Sequence, residues 1–432
     1  MTSPVVGFAG MTHLGLVSGV CAAEWGFRAI CFDPDEARVE PLKRGRLPVS
    51  EPALDELLAR NAQRLVFSAS QADLAACDLI YVAPDVQTGD NGESNIEPVD
   101  ALLDRVLGAV RRDAVVVILS QVPPGYTRSR MRTDRALYYQ VETLVFGRAV
   151  ERALKPERYI VGCADPAQRL PAPYAAFLGA YGCPILRMRY ESAELAKISI
   201  NCCLVASVSV ANTLAELCER IGADWSEIAP ALKLDNRIGK HAYLSPGLGI
   251  AGGNLERDLS TVIRLAGING TDDGVVRAWL ANSRHRRDWA ARTIHSALLD
   301  AHPDATVAVW GLAYKENTHS TKNSPSLATI SQLPLARLKL HDPVVPAAAV
   351  THRNAEAASD PLAAASGADA LMILAPWPQY RSIAPDAIRR AMRGRIVVDP
   401  YGVLDAAAAA KAGLDIYALG RPPSNAGSAG DD

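Results

Sequence analysis

The chain has 432 residues, enough for two or three domains, because single hydrophobic cores stop growing near ~250–300 residues. Apolar residues make up 49%, charged residues 21%, and the net charge is −2, which excludes a global pull toward nucleic acid or an anionic membrane. Any anionic ligand must therefore be held by local sites, and neither nucleic acid nor membrane is an expected partner.

The opening Met1-Thr2-Ser3-Pro4 runs into an apolar stretch without a basic leader, and no run of about 18 apolar residues follows, so a cytoplasmic protein is expected. Pro4 to Ala9 predicts a buried strand, Leu14 to Trp25 a helix ending at Gly26, and Phe27 to Phe32 a second strand stopping at Asp33-Pro34. Leu79 to Ala83 and Ala114 to Leu119 predict further strands, alternating with helical stretches such as Pro98 to Val110. That alternation is the pattern of a parallel sheet wound with helices, an α/β fold. Glu191 to Arg220 contains neither Pro nor Gly and predicts one long helix. A Gly-rich loop, Leu244 to Gly253, precedes more helix up to about Leu299. Strand candidates then return at Thr306 to Leu312, Ala336 to His341, Ala370 to Ala375 and Arg395 to Val398, and the tail from Arg421 has a disordered composition. The eight cysteines lie scattered in apolar stretches without paired metal-ligand spacing, so no metal site is expected.

Gly10-Met11-Thr12-His13-Leu14-Gly15 follows the first strand and opens the first helix, with Asp33 ending the second strand. A dinucleotide site needs this layout: a tight turn bares backbone N–H groups at a positive helix end, and a carboxylate at the next strand end accepts from ribose hydroxyls. Asp33 favours NAD over NADP, since a 2′-phosphate would face its charge. Thr12 stands at the second glycine position, where it either crowds the pyrophosphate or donates its hydroxyl to it. A plain strand-to-helix turn is the alternative.

Leu42 to Pro52, Ser120 to Gly125, Glu194 to Asn212, Asp235 to Gly239 and Gly311 to Ser326 together resemble the UDP-glucose/GDP-mannose dehydrogenase family of nucleotide-sugar dehydrogenases. Leu42-Lys43-Arg44-Gly45-Arg46-Leu47-Pro48-Val49-Ser50-Glu51-Pro52 is similar to the family's L-x-x-G-x-x-P-I-x-E-P loop, and Ser120-Gln121-Val122-Pro123-Pro124-Gly125 to its S-T-V-P-V-G cofactor loop. On the long helix, Glu194, Lys197, Asn201 and Asn212 fall in the family's pattern, with Lys197 and Asn201 four apart on one helical face. Asp235-Asn236-Arg237-Ile238-Gly239 resembles a segment approaching the sugar nucleotide, and Gly311-Leu312-Ala313-Tyr314-Lys315-Glu316-Asn317-Thr318 with Asn323-Ser324-Pro325-Ser326 resembles its nucleotide-holding segment.

The resemblance implies two Rossmann-like doubly wound parallel-sheet domains joined by the long helix and a helical middle domain. The expected boundaries are 1–185 for an NAD-binding domain, 186–300 for the helical domain, 301–420 for a nucleotide-sugar-binding domain and 421–432 for the tail. It implies NAD held by Gly10, Thr12, His13, Leu14, Gly15, Asp33, Gln121 and Arg257. A nucleotide sugar would be held by Arg237, Tyr243, Gly249, Lys315 and Lys322, and catalysis carried by Lys197, Asn201, Asn254, Asp258 and Glu142, in a homodimer.

The departures cluster at the site. In the frame Gly249-Ile250-Ala251-Gly252-Gly253-Asn254-Leu255-Glu256-Arg257-Asp258, Asn254 stands where the family places a cysteine nucleophile, and Arg257 where it places a lysine. The family's acid loop keeps Glu142 but has Phe146 in place of its second acid. Cys202 and Cys203 follow Asn201 but turn away from its helical face, and no cysteine lies beyond Cys218. An amide cannot form a thiohemiacetal or thioester. The expected activity is therefore an NAD-linked oxidoreductase on a UDP-sugar or related nucleotide, making one two-electron oxidation or a redox-neutral change. An acid-forming dehydrogenase and a non-catalytic nucleotide-sugar binding protein are the alternatives.

Overall fold

The structure, a computed structural model, describes residues 3–87, 89, 94–250 and 254–424. The chain divides into two compact units, residues 1–200 and 201–432. The first is built on eight strands: β1 (Val6–Ala9), β2 (Ala29–Phe32), β3 (Leu65–Ser68), β4 (Leu79–Val82), β5 (Val115–Ile118), β6 (Ala136–Gln140), β7 (Tyr159–Cys163) and β8 (Ile185–Arg189). Their spatial order is β3-β2-β1-β4-β5-β6-β7-β8, with β6 and β7 antiparallel and every other pair parallel.

Period-two alternation fills both faces of this sheet, as a sheet wound on both sides requires. Phe8, Tyr81 and Val117 enter one core, while Ile30, Ile80, Val116 and Ile118 enter the other. Each such buried side chain contributes roughly 1.5–3 kcal/mol. The order reverses between β1 and β4, so the loops leaving these two neighbours open a crevice at their carboxyl ends.

The second unit carries a six-stranded parallel sheet of β9 (Thr306–Trp310), β10 (Arg337–His341), β11 (Ala355–Ala357), β12 (Ala370–Ile373), β13 (Ile396–Val398) and β14 (Asp415–Tyr417), in order β11-β10-β9-β12-β13-β14. It repeats the wiring of the first sheet. Gly311 follows β9 with φ +97°, and Asp342 after β10 accepts from Leu312 N at 2.7 Å; Gly10 follows β1 with φ +99°, and Asp33 after β2 accepts from Met11 N at 2.8 Å.

The elements read between residues 190 and 299 are all helices, among them Tyr190–Ile221, Asn254–Asn269, Gly274–Arg287 and Trp289–Ile294. The Tyr190–Ile221 helix is by length and composition apolar enough to cross a membrane. It nevertheless carries acids that are paired within the protein. Glu194 is fully buried and accepts from Gly125 N and Thr127 N, while Glu219 accepts from Arg286 and from Trp289 Nε1.

Observed strands begin one or two residues later than expected in several places: Val6 for Pro4, Ala29 for Phe27, and Arg337 for Ala336. The expected disordered tail starts at Arg421, yet Ser424 and Ile416 exchange two backbone hydrogen bonds of 3.0 Å, which hold the chain against β14 as far as 424. Residues 425–432 lie outside the described residues, as do 251–253 of the Gly-rich loop.

Candidate functional site

The glycines of the first turn are demanded by close approach. A Cβ on Gly10 would lie 2.7 Å from Pro84 N, and one on Gly15 only 2.0 Å from Gly10 O, so helix and strand meet without room for a side chain. Asp33 is 2% exposed; its Oδ2 holds Met11 N, its Oδ1 accepts from Asp35 N at 3.0 Å, and Arg38 stands 3.5 Å away. The cradle fits a dinucleotide: bare turn, helix end and strand-end carboxylate are all in place. Thr12 is the extended N-cap of the His13–Glu24 helix, and its Oγ1 accepts from Asp85 N at 2.8 Å, leaving the hydroxyl proton available. Leu14 N donates to Asp85 Oδ2 at 3.4 Å. Gln121 lies half-buried in the loop after β5.

His13 is turned toward the acid loop. Its Nε2 stands 2.8 Å from Glu51 Oε1, and its ring lies against Phe146, with centroids 4.2 Å apart. The buried Glu51 carboxylate also accepts from Gly147 N and Ala149 N, at 2.9 and 3.1 Å. One carboxylate thus ties the Gly10–Gly15 turn to the loop carrying Glu142. Glu142 itself pairs with Lys197 at 3.2 Å, both side chains being largely buried. Such a cation is tolerable because an anion meets it. Glu194, three residues earlier, secures the cofactor loop through Gly125 N and Thr127 N; burial pushes its carboxyl up, against the pull of those two N–H groups.

In the second unit, Asn201 Nδ2 donates to Asp258 Oδ2 at 2.5 Å, and Asp258 Oδ1 stands 3.5 Å from Arg257 Nε. Asp258 and Arg257 are 1% and 2% exposed, where the first turn of the Asn254–Asn269 helix passes into the second. Asn254 opens that helix, exposed. Cys202 is half-buried, and burial, reinforced by the Asp258 charge, pushes its thiol up to about 11; Cys203 is exposed. A thiol so held is mostly protonated near neutral pH and a poor nucleophile.

The remaining binding candidates differ in setting. Gly249, at φ +73°, passes so close to Ser283 that a Cβ would lie 2.3 Å from its carbonyl oxygen, and Asn212 Oδ1 accepts from Gly247 N at 2.8 Å; both shape the loop. Arg237 is highly exposed and pairs with Asp235 at 2.6 Å, and Tyr243 is exposed. Lys315 Nζ lies 5.6 Å from the centre of the Tyr314 ring. Lys322 is exposed, next to Asn323, which donates to Glu256 at 2.5 Å.

Sequence reasoning missed Asp85 altogether and quoted Glu51 only as part of a loop pattern. The loop pattern was the available signal for Glu51, because a buried acid between prolines calls for donors. Asp85 had none, since its partner Leu14 is distant in sequence.

Comparison with known proteins is consistent across the chain. Residues 5–176 match the UDP-glucose/GDP-mannose dehydrogenase family NAD binding domain, residues 191–283 the central domain and residues 308–406 the UDP binding domain. A UDP-glucose 6-dehydrogenase of Pseudomonas aeruginosa is 32% identical over 440 residues, covering 96% of each chain. The solved UDP-glucose dehydrogenase of Pyrobaculum islandicum is 28% identical with a TM-score of 0.83, covering 94% of this chain and 98% of the other. A Pyrococcus horikoshii UDP-D-ManNAc dehydrogenase has a TM-score of 0.82, covering 96% and 99%; at 22% identity it speaks for the fold alone.

Proposed function

The chain belongs to the UDP-glucose/GDP-mannose dehydrogenase family of NAD-dependent enzymes, and we propose that it acts on a UDP-sugar or related nucleotide sugar without carrying it to the acid. The outcome is a single two-electron oxidation of a CH–OH group, or a redox-neutral oxidation followed by reduction. The carrying observation is an amide, Asn254, at the head of the helix whose next turn holds the buried Asn201–Asp258 pair.

The first oxidation needs no thiol. Bound NAD would supply the hydride acceptor. The chain's own groups handle the oxygen and its proton. Lys197 has three N–H donors and spends one on Glu142, and Asn201 has two and spends one on Asp258, so both retain donors for the alkoxide. Asp258 draws off the hydroxyl proton directly or through water. Asn254 donates to the carbonyl product or its hydrate. Gly10, Thr12, His13, Leu14, Gly15, Asp33, Gln121 and Arg257 serve the cofactor. Lys315, Lys322 and Arg237 hold the nucleotide phosphates, and Tyr243 and the Gly249 turn shape the sugar pocket. A homodimer in the cytoplasm completes the reading, with Val210, Leu214, Leu217 and Ile221 exposed along one helix face.

The test is incubation with NAD and a panel of UDP-sugars in the presence of hydroxylamine, followed by product mass. A trapped carbonyl or an isomerised sugar is expected. A carboxylate product contradicts the proposal, and tight sugar binding without any turnover makes the chain a binding protein.

A further inference from the structure

We propose that Asp85 is a built-in competitor for the cofactor's pyrophosphate, seated at the N-terminal end of the His13–Glu24 helix and expelled when NAD binds. Four contacts put it there. The loop after β4 crosses Gly10 so closely that a Cβ would meet Pro84 N at 2.7 Å. Ser120 Oγ donates to Pro84 O at 2.6 Å, and Asp85 N donates to Thr12 Oγ1 at 2.8 Å, so the loop is pinned from both neighbouring segments. The exposed side chain reaches the helix end, where Asp85 Oδ2 accepts from Leu14 N at 3.4 Å.

The helix end has a use for this charge. Its first turn contains no acidic residue, and the N-cap Thr12 makes no side-chain capping bond, so the orphan N–H groups and the positive end of the dipole have no anion of their own. Asp85 supplies it from the loop after β4. In a dinucleotide turn that is the seat of the pyrophosphate. Thr12 is part of the device: at the second glycine position it carries the hydroxyl that anchors Asp85. The reading rests on the cofactor assignment and adds that this chain binds NAD against a resident negative charge. A like charge a few ångströms from two phosphates near the surface weakens binding on the order of ten-fold.

The test is calorimetric titration of the full chain with NAD alone, comparing wild type, Asp85→Asn, Asp85→Ala and a control, Asp104→Asn, which removes an exposed charge on the Glu97–Ala109 helix. Adenosine, which has no phosphate, serves as the second probe. The expected result is NAD affinity about ten-fold higher in both Asp85 variants, unchanged in the control, with adenosine affinity equal in all four proteins. NAD affinity in Asp85→Asn equal to or below wild type overturns the proposal. So does an equal gain for adenosine, which would assign the effect to loop shape, and so does absence of NAD binding throughout. No sugar is present, so the result is independent of whether the altered-product reading holds.

Discussion

The proposed chemistry rests on a few polar groups, among them the Lys197–Glu142 and Asn201–Asp258 pairs. Lys197 faces Glu142, and removing it strips a donor from the developing oxyanion and leaves Glu142 unpaired. Lys197→Ala is expected to lower the rate of hydride transfer on the order of 10²–10³-fold, read as NADH formation at saturating NAD. The thiols carry no such weight. With Cys202 pushed up to about 11, the double variant Cys202→Ala/Cys203→Ala is expected to keep its turnover within about two-fold, and a collapse to background would mean that a thiol has replaced the missing nucleophile. Glu51 is structural: Glu51→Ala leaves His13 Nε2 and the Gly147 and Ala149 N–H groups without their acceptor. It should cost about 3 kcal/mol or more in urea unfolding. Lys197, Asn201, Asn254 and Asp258 could be singled out in the sequence because each sits in a spaced pattern. Asp85 and the Phe146–His13 contact were not, since both depend on segments that meet only after the sheet closes.

At the scale of elements, the strands that pattern reading found, β1, β2, β4, β5, β9, β10, β12 and β13, are interior strands of their sheets; all but β10 are short, largely apolar runs, while β10 alternates and buries Leu338 and Leu340. Three that it missed have a physical reason. β8 and β11 are edge strands with polar, partly exposed sequences, Ile185-Leu186-Arg187-Met188-Arg189 and Ala355-Glu356-Ala357, and β14 has three residues opening on Asp415. Their place is set by pairing with a neighbour. The repeated glycine-and-aspartate wiring makes a prediction at this scale. Asp342 accepts from Leu312, Ala313, Val344 and Val345 N–H and from Trp377 Nε1. Burial pushes its carboxyl up, but those N–H groups outweigh it and hold it below the usual range. Because the folded value is depressed, its contribution to stability is present above the unfolded value of about 3.9 and is lost as pH falls through the folded one. Asp342→Asn should therefore cost about 1.5–3 kcal/mol at pH 7 in denaturant melts and progressively less below about pH 4. An equal cost at pH 7 and pH 3 would assign its role to shape alone.

At the scale of the whole molecule, family membership covers all three segments of the chain, while the departures concentrate where the second oxidation would occur. The exposed row Val210, Leu214, Leu217 and Ile221 predicts association through the long helix. Leu217→Asp is expected to convert a sedimenting dimer into monomer, and unchanged sedimentation would move the interface elsewhere. The central claim, that Asn254 stops the chemistry before the acid, is tested most directly by counting NADH per nucleotide sugar consumed under anaerobic conditions, in wild type and in Asn254→Cys. The account predicts one NADH or none for wild type with no carboxylate, and a shift toward two NADH with a carboxylate product once the thiol is supplied. Two NADH per sugar and a carboxylate from the wild-type protein would contradict it.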